Sequence, residues 1–348
     1  MKYVGIDAHQ SQWTICVMDE NGKKIYTTTV RGTWKDLMAA LARIQGPFVI
    51  CFEASGGAGF LYDQLKTVAA QVVVAHPAKL RLIWAAKRKN DELDAERLAK
   101  LLFLDAVPTV HIPKIEVRSW RALIEYRRRL MGKRTAVKNT IRALLRSTGK
   151  LAPQRLWTRA GLSWLKDERF SIRGDGLRLD LLMEELSDLN GKVSAVTKEL
   201  NRIGRSNADV QLLMTVPGVG IRTAEAFAAY IDEAKRFSNL KTVGSYLGLV
   251  PIQDQSAATN HLGHITRQGP SVVRWLLTEA AWEGIRRSPR IRTFFSRIQR
   301  NDPKRNKIAV VATAHHLARV MLAMLKSGEV WRSETLAMAT PPGQRKAG

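Results

Sequence analysis

The chain has 348 residues, with 56 Lys+Arg against 31 Asp+Glu and a formal net charge of +25. That length exceeds one ordinary core and points to two or three folded units, while 45% hydrophobic and 25% charged residues exclude wholesale disorder. No apolar run reaches the roughly 18 residues of a membrane span, and Asp7 interrupts the opening Met1–Asp7 too early for a signal-peptide core, so the expectation is a cytoplasmic protein with polyanions as first partners and no membrane.

The first hundred residues alternate strand and helix signals. Lys2–Ile6, Trp13–Met18 and Lys24–Val30 are short β-branched or aromatic runs, with Glu20-Asn21-Gly22 as a hairpin turn between the last two. A helical stretch over about 34–44 precedes Phe48–Phe52, a buried strand ending in Glu53. The glycines of Gly56-Gly57-Ala58-Gly59 lead into a helix over Leu61–Val68, and Gln71–Ala75 reads as another buried strand. A mixed α/β layered sheet follows from this order. Cys16 and Cys51 fall inside the apolar strands and read as buried free thiols of a reducing compartment.

Long helices follow. Residues 1–78 hold seven Lys/Arg against six acids, but 118–150 hold eleven against Glu125 alone, and 286–307 hold nine against Asp302. A solvated helix face normally mixes both signs. A run so poor in acids therefore points to nucleic acid, with Arg127, Arg128, Arg129, Lys133, Arg134, Lys138 and Arg142 as the first candidates. Trp120, Leu123, Leu130, Val137, Ile141 and Leu144 share a stripe that Arg127 and Arg134 interrupt. After a Pro/Gly-containing stretch at about 149–176, Leu179, Leu182, Leu186, Leu189, Val193, Val196, Leu200 and Ile203 alternate spacings of three and four. That seam predicts a helical coiled-coil arm, paired with a second subunit or with the 118–148 helix.

Four carboxylates stand out in the first unit. Asp7 and Glu53 each close an apolar strand, while Asp91 and Asp94 open a helix at an i, i+3 spacing that puts both on one face. Taken alone, Asp91 or Asp94 could cap that helix and Glu53 could satisfy loop amides. Neighbouring Glu92 and Glu96 read as solvent-facing. Four converging carboxylates repel one another without a cation, and hard oxygen donors suit Mg²⁺ or Mn²⁺, which activates phosphodiesters.

In the last third, Leu213–Gly220 with Ala224 fits a helix-hairpin-helix, whose Gly218 and Gly220 let backbone amides approach a phosphate; a plain glycine turn between packed helices is the alternative. A polar, glycine-bounded loop over 262–269 leads to a helix over Val272–Ile285, and Ala339–Gly348 reads as a disordered tail. On its own, Ser256 is no more than a loop hydroxyl.

Together these motifs resemble, over nearly the whole chain, the DEDD-type insertion-sequence transposases of the IS-one-ten family, the bridge-RNA-guided recombinases. The resemblance is carried in order by Gly5-Ile6-Asp7, Phe52–Gly56, Lys89-x-Asp91-x-x-Asp94-Ala95 and Lys138-Asn139-x-Ile141. It continues through Val216–Gly220, Gly248–Pro251 and Gly263-x-Ile265-Thr266-Arg267-x-Gly269. It implies an RNase H-like, Holliday-junction-resolvase-like catalytic domain at 1–112, a basic coiled-coil arm at 113–207, a helical transposase domain at 208–335 and a tail at 336–348. Asp7, Glu53, Asp91 and Asp94 would be the metal tetrad, Ser256 the nucleophile that forms a phosphoserine link to DNA, and Arg267 a nucleic-acid contact. Implied partners are donor and target duplex DNA, a structured non-coding guide RNA and further copies of the chain, as homodimer or homotetramer, in a bacterial nucleoid-associated setting. The chain departs from the family in carrying Ser256-Ala257 where Ser-Gly is usual, Arg267 where lysine is commoner and Pro270 where a small polar residue is usual. A metal-dependent junction-resolving nuclease without a serine intermediate, and a non-catalytic RNA- or DNA-binding protein, are the alternatives.

Overall fold

The computed structural model describes residues 1–83, 90–256 and 259–332, with the side chains of 254–262 outside the description. Two compact units divide it, residues 1–118 and 119–348.

In the first unit, β1 (Lys2–Ala8), β2 (Gln12–Met18) and β3 (Lys24–Arg31) form an antiparallel meander. After α1 (Trp34–Leu41), β4 (Phe48–Glu53) returns parallel to β1; α2 (Ala58–Leu65) then carries the chain to β5 (Gln71–Ala75), parallel to β4. The sheet order is β3-β2-β1-β4-β5, so β1 and β4 are neighbours in the middle. Helix α3 (Pro77–Ile83), which the sequence pattern did not announce, precedes α4 (Asp91–Phe103). One face of the sheet buries Val4, Ile6, Ile15, Ile50 and Phe52 with Leu37 and Leu41 of α1. On the other face, α4 lays Ala95 and Ala99 against Cys16 and Met18. These small side chains let it ride close enough that a β-carbon on Gly5 would stand 2.5 Å from the Ala99 amide nitrogen. Cys16 and Cys51 are buried and unbridged, and burial pushes the Cys51 thiol up to about 12.

The second unit begins within α5 (Ile115–Ser147), which is followed by the short α6 (Arg159–Asp167) and the long α7 (Arg173–Ser206). The 149–176 stretch thus contains a helix, started by the Thr158 hydroxyl accepting from the Gly161 amide. The 3/4 seam of α7 is buried inside one chain: Leu186, Leu189 and Val193 pack with Leu130, Val137, Ile141 and Leu144 of α5. Arg127 Nε donates to Thr197 Oγ1 at 2.9 Å, and Arg134 Nη1 to Asn190 Oδ1 at 3.5 Å. Because the α7 partner number falls as the α5 number rises, the pair is antiparallel.

Helices α8 (Ala208–Leu213), α9 (Ile221–Ile231) and α10 (Thr242–Leu247) follow. Of the 262–269 stretch expected as a polar loop, residues 262–265 instead belong to a hairpin of β6 (Pro251–Ser256) and β7 (Thr259–Ile265), antiparallel with Ser256 opposite Thr259. Cross-strand backbone bonding supplies partners that a loop would have had to find in water. Then come α11 (Ser271–Arg287), α12 (Pro289–Gln299) and α13 (Asn306–Ser327). The expectation that nothing is apolar enough to span a membrane needs correction. The helical stretch Pro303–Ser327 meets the length and composition requirement with mean hydropathy 1.6, and half of that window is buried. Its Ala314, Leu317, Ala318, Met321 and Leu322 lie in the core with Phe227, Leu247 and Leu277, the placement of a central core helix.

Candidate active site

The convergence predicted for the carboxylates starts from strand pairing. Ile6 lies opposite Phe52 in the parallel β1–β4 pair, so Asp7 and Glu53 occupy the next step at the carboxyl ends of both strands. Parallel neighbours end on the same side of a sheet, which makes that edge a natural place for polar groups. Helix α4 brings the other two. Asn90 caps it, its side chain accepting from the Glu92 amide, so Asp91 and Asp94 are released from the capping role each could have served. With Ala95 against Gly5, the first turn of α4 hangs over the end of β1.

The acids are then close. Asp7, Asp91 and His9 each offer a ligand atom, all within 4.8 Å of one another. His9 Nε2 stands 3.2 Å from Asp7 Oδ2 and 3.7 Å from Asp91 Oδ1. Gln12 Nε2 donates to Asp91 Oδ2 at 3.2 Å, which fixes that carboxylate's rotamer. Burial pushes the Asp7 carboxyl above its ordinary range; Asp91 and Asp94 push the same way, and His9 opposes them. Asp94 accepts from Arg97 at 3.2 Å, and Glu53 is exposed at its strand end. Glu96, expected to face solvent, is partly exposed and pairs at the surface with Lys24 at the start of β3, at 2.7 Å.

This donor set suits a hard divalent cation: aspartate oxygens and one imidazole at bonding range, crowded enough that a positive charge relieves their repulsion. His9 was missed by sequence reasoning. It lies two residues beyond Asp7 and one past the end of β1, and that short spacing was the signal available.

The other nominated residues lie in the second unit. Ser256 is the last paired position of β6; its side chain, and Ala257-Ala258, lie outside the described residues, as does Lys89. The hairpin's base is tightly held. Gly248 (φ +67°) and Gly269 (φ +75°) bring two backbone segments so close that a β-carbon on Gly248 would stand 2.6 Å from the Gln268 amide nitrogen. Arg274 Nη1 donates to the carbonyls of Gln268 (2.7 Å), Leu247 (3.0 Å) and Gly269 (3.0 Å). Arg267 is exposed in the left-handed region at φ +56°.

Of the hairpin glycines, Gly218 (φ +89°) is explained by packing: a β-carbon there would stand 2.5 Å from the Ala280 carbonyl of α11. Gly220, at the start of α9, is exposed with open space where a β-carbon would go. The arginine run divides similarly. Arg127 and Arg134 reach to α7, Arg128 pairs with Glu125 at 2.8 Å, and Lys138 and Arg142 lie over the Trp157 ring at 4.8 and 5.4 Å. Burial, then Arg134 and Arg142, lower the Lys138 pKa. Arg129, Lys133 and Arg142 face solvent.

Comparison with known proteins bears on both units. A DEDD transposase model of IS110 type matches residues 4–149, and the model described as "Transposase IS116/IS110/IS902 family" matches 210–296. The transposase for insertion sequence element IS1111A of Coxiella burnetii is 27% identical over 285 residues, covering 81% of this chain and 77% of that protein. A Pseudomonas aeruginosa protein described as a probable family 20 transposase is 26% identical over 297 residues, covering 82% and 86%.

Proposed function

Starting from a chain that belongs to the IS110 family of DNA transposases, we propose that it cuts and rejoins DNA through a metal-binding carboxylate site and a serine nucleophile, guided by a structured RNA from its own mobile element. The observation that carries this reading is the meeting of Asp7 and Asp91 with His9 at the end of a central strand, with Asp94 acting electrostatically on the same group. The β3-β2-β1-β4-β5 order, antiparallel and then parallel, supports an RNase H-like assignment for the catalytic domain at 1–112. The α5–α7 pair supports a coiled-coil arm over 113–207, ahead of a transposase domain at 208–335 and a tail at 336–348.

Asp7, Glu53, Asp91 and Asp94 are the proposed metal residues, with His9 beside them. A Mg²⁺ or Mn²⁺ ion held there supplies Lewis-acid polarisation of a phosphoryl oxygen. Gln12 and His9 hold the aspartates in place. Ser256 Oγ gives up its proton to solvent and attacks the scissile phosphorus; the P–O3′ bond breaks, the 3′-oxygen takes up a proton from solvent, and a phosphoserine ester conserves the bond energy for rejoining. Ala257 stands where the family carries glycine. The solvent-facing Arg129, Lys133 and Arg142, with Arg128, Gly220 and Arg267, are proposed to grip donor and target duplex and guide RNA through the backbone. The protein acts in a bacterial cytoplasm on the nucleoid, as a dimer or tetramer.

The test is a denaturing gel after incubation with DNA carrying the element's ends, the co-purified RNA and Mg²⁺. Wild type is expected to leave a protein–DNA adduct, and Ser256→Ala and Asp7→Asn none. Cutting by wild type without any adduct overturns the serine step in favour of a junction-resolving nuclease. Binding with no cutting under any metal leaves a nucleic-acid-binding protein.

A further inference from the structure

A cleft of about 600 Å³ opens within the second unit between α5, α7, α9 and α11, inside the size range of pockets that take small organic groups. Its lining combines four features. Leu200 and Val272 give it an apolar wall, with Leu200 fully buried and Val272 nearly so. Trp275 of α11 lines it while remaining 54% exposed, which leaves much of a flat aromatic surface uncovered. Arg127 and Arg128 of α5 form a cationic side.

The fourth feature is Glu225 of α9, only 1% exposed and among the cleft's lining residues. Its Oε1 stands 2.9 Å from Arg222 Nη1, out of line for a hydrogen bond, while Arg222 Nη2 also meets Asn201 of α7. Glu225 Oε2 is buried and has no hydrogen-bond partner among the described residues. Buried polar atoms are nearly always satisfied, because an acceptor stripped of water and given no donor is costly. An acceptor kept waiting at the wall of a cleft is what a ligand with N–H donors would complete.

We infer that this cleft holds one unpaired guanine nucleotide, its base stacked on Trp275, its N1–H and N2–H donors on the Glu225 carboxylate with Oε2 as the waiting acceptor, and its phosphate on Arg128. The choice of base follows from donor pattern. Guanine's Watson–Crick edge presents two adjacent donors, which suit a carboxylate. Adenine and cytosine set a ring-nitrogen acceptor beside their amino donor, and that lone pair repels a carboxylate; thymine and uracil offer a single N–H between two carbonyls. Stacking on an indole face serves any base, so Trp275 supplies grip and Glu225 supplies choice. None of the residues lining the cleft is among those assigned above to cutting. Its connection with DNA transposition is only that nucleic acid with unpaired bases is at hand.

The experiment uses the full chain and fluorescence anisotropy with short dye-labelled oligothymidylates carrying one central guanine or one central adenine, alongside the matching oligouridylates. Wild type is expected to bind the guanine strand about tenfold more tightly than the adenine strand. Trp275→Ala, at an exposed position that leaves the core intact, is expected to lose about tenfold on the guanine strand. Glu225→Gln should bind both strands alike, and guanosine monophosphate should compete with the guanine strand where adenosine monophosphate does not. Tighter binding of the ribo-strand assigns the nucleotide to RNA, and of the deoxy-strand to DNA. Equal binding of guanine and adenine strands by wild type, or unchanged guanine binding by Trp275→Ala, overturns the assignment. Strand cleavage with its Asp7 control is scored in parallel, so failure of the transposase chemistry and failure of this cleft are told apart.

Discussion

Gly5 of β1 and Ala95 of α4 meet backbone to backbone: a β-carbon on Gly5 would overlap the Ala95 carbonyl oxygen. Nothing larger than hydrogen fits there, and the approach it permits sets Asp91 and Asp94 over Asp7. Gly5→Ala is therefore expected to lift α4 from the sheet, cost about 1–3 kcal/mol in denaturant unfolding and depress DNA cleavage with it. Gly191→Ala, in open space on α7, serves as the control and should leave cleavage unchanged. Cleavage at wild-type rate by the Gly5 variant would separate the helix position from the chemistry.

Glu225 makes stability depend on pH. Burial pushes its carboxyl from 4.5 up to about 7, with Arg222 on its own helix and Arg127 from α5 opposing that rise. A group raised on folding contributes stability fully below its unfolded value. That contribution fades as pH climbs from about 4.5 through 7 and amounts to roughly 3 kcal/mol at most. Chemical denaturation between about pH 5 and 8 should show wild type weakening relative to Glu225→Gln across that window. Parallel profiles for the two proteins would count against a buried carboxyl of this kind.

The α7 seam closes on α5 of the same chain. Leu189, 5% exposed in that contact, is expected to cost about 2–5 kcal/mol when cut to alanine. Because the packing is intramolecular, the drop in melting temperature should be the same across a hundredfold range of protein concentration. A concentration-dependent drop would mean that the seam is shared between subunits.

Arg274 of α11 ties the end of α10 to the segment that follows the serine hairpin through three carbonyl oxygens. Arg274→Ala should speed protease cutting and amide exchange across Pro251–Ile265 while global stability falls by about 1–3 kcal/mol or less. The serine adduct should fall in step. A hairpin as protected as in wild type would show that Gly248 and Gly269 suffice to hold it.

Much of the architecture was legible in local pattern. Alternating and β-branched runs gave away β1 to β5 nearly to the residue, and the 3/4 spacing foretold that α7 would bury a seam. The 259–265 stretch did not betray β7, because its sequence carries no hydrophobic alternation to read. The arginine run was read as surplus charge facing a polyanion. In the fold Arg121 is spent on the Ala229 and Tyr230 carbonyls, at 2.7 and 3.2 Å, and Arg127 on Thr197. Counting charges cannot say which are consumed by the protein itself.

The site divides in the same way. Which residues are acidic, that two of them end strands and that two share a helix face are properties of composition and period, and the sequence alone determined them. That His9 joins Asp7 and Asp91, that Asn90 rather than an aspartate caps α4, and that Glu225 Oε2 lines a cleft with no donor among the described residues were decided only by the tertiary structure. Each depends on how closely two distant segments approach. Period and composition describe one segment at a time, whereas an ångström of separation between segments is set by what both of them lack, as at Gly5 and Ala95.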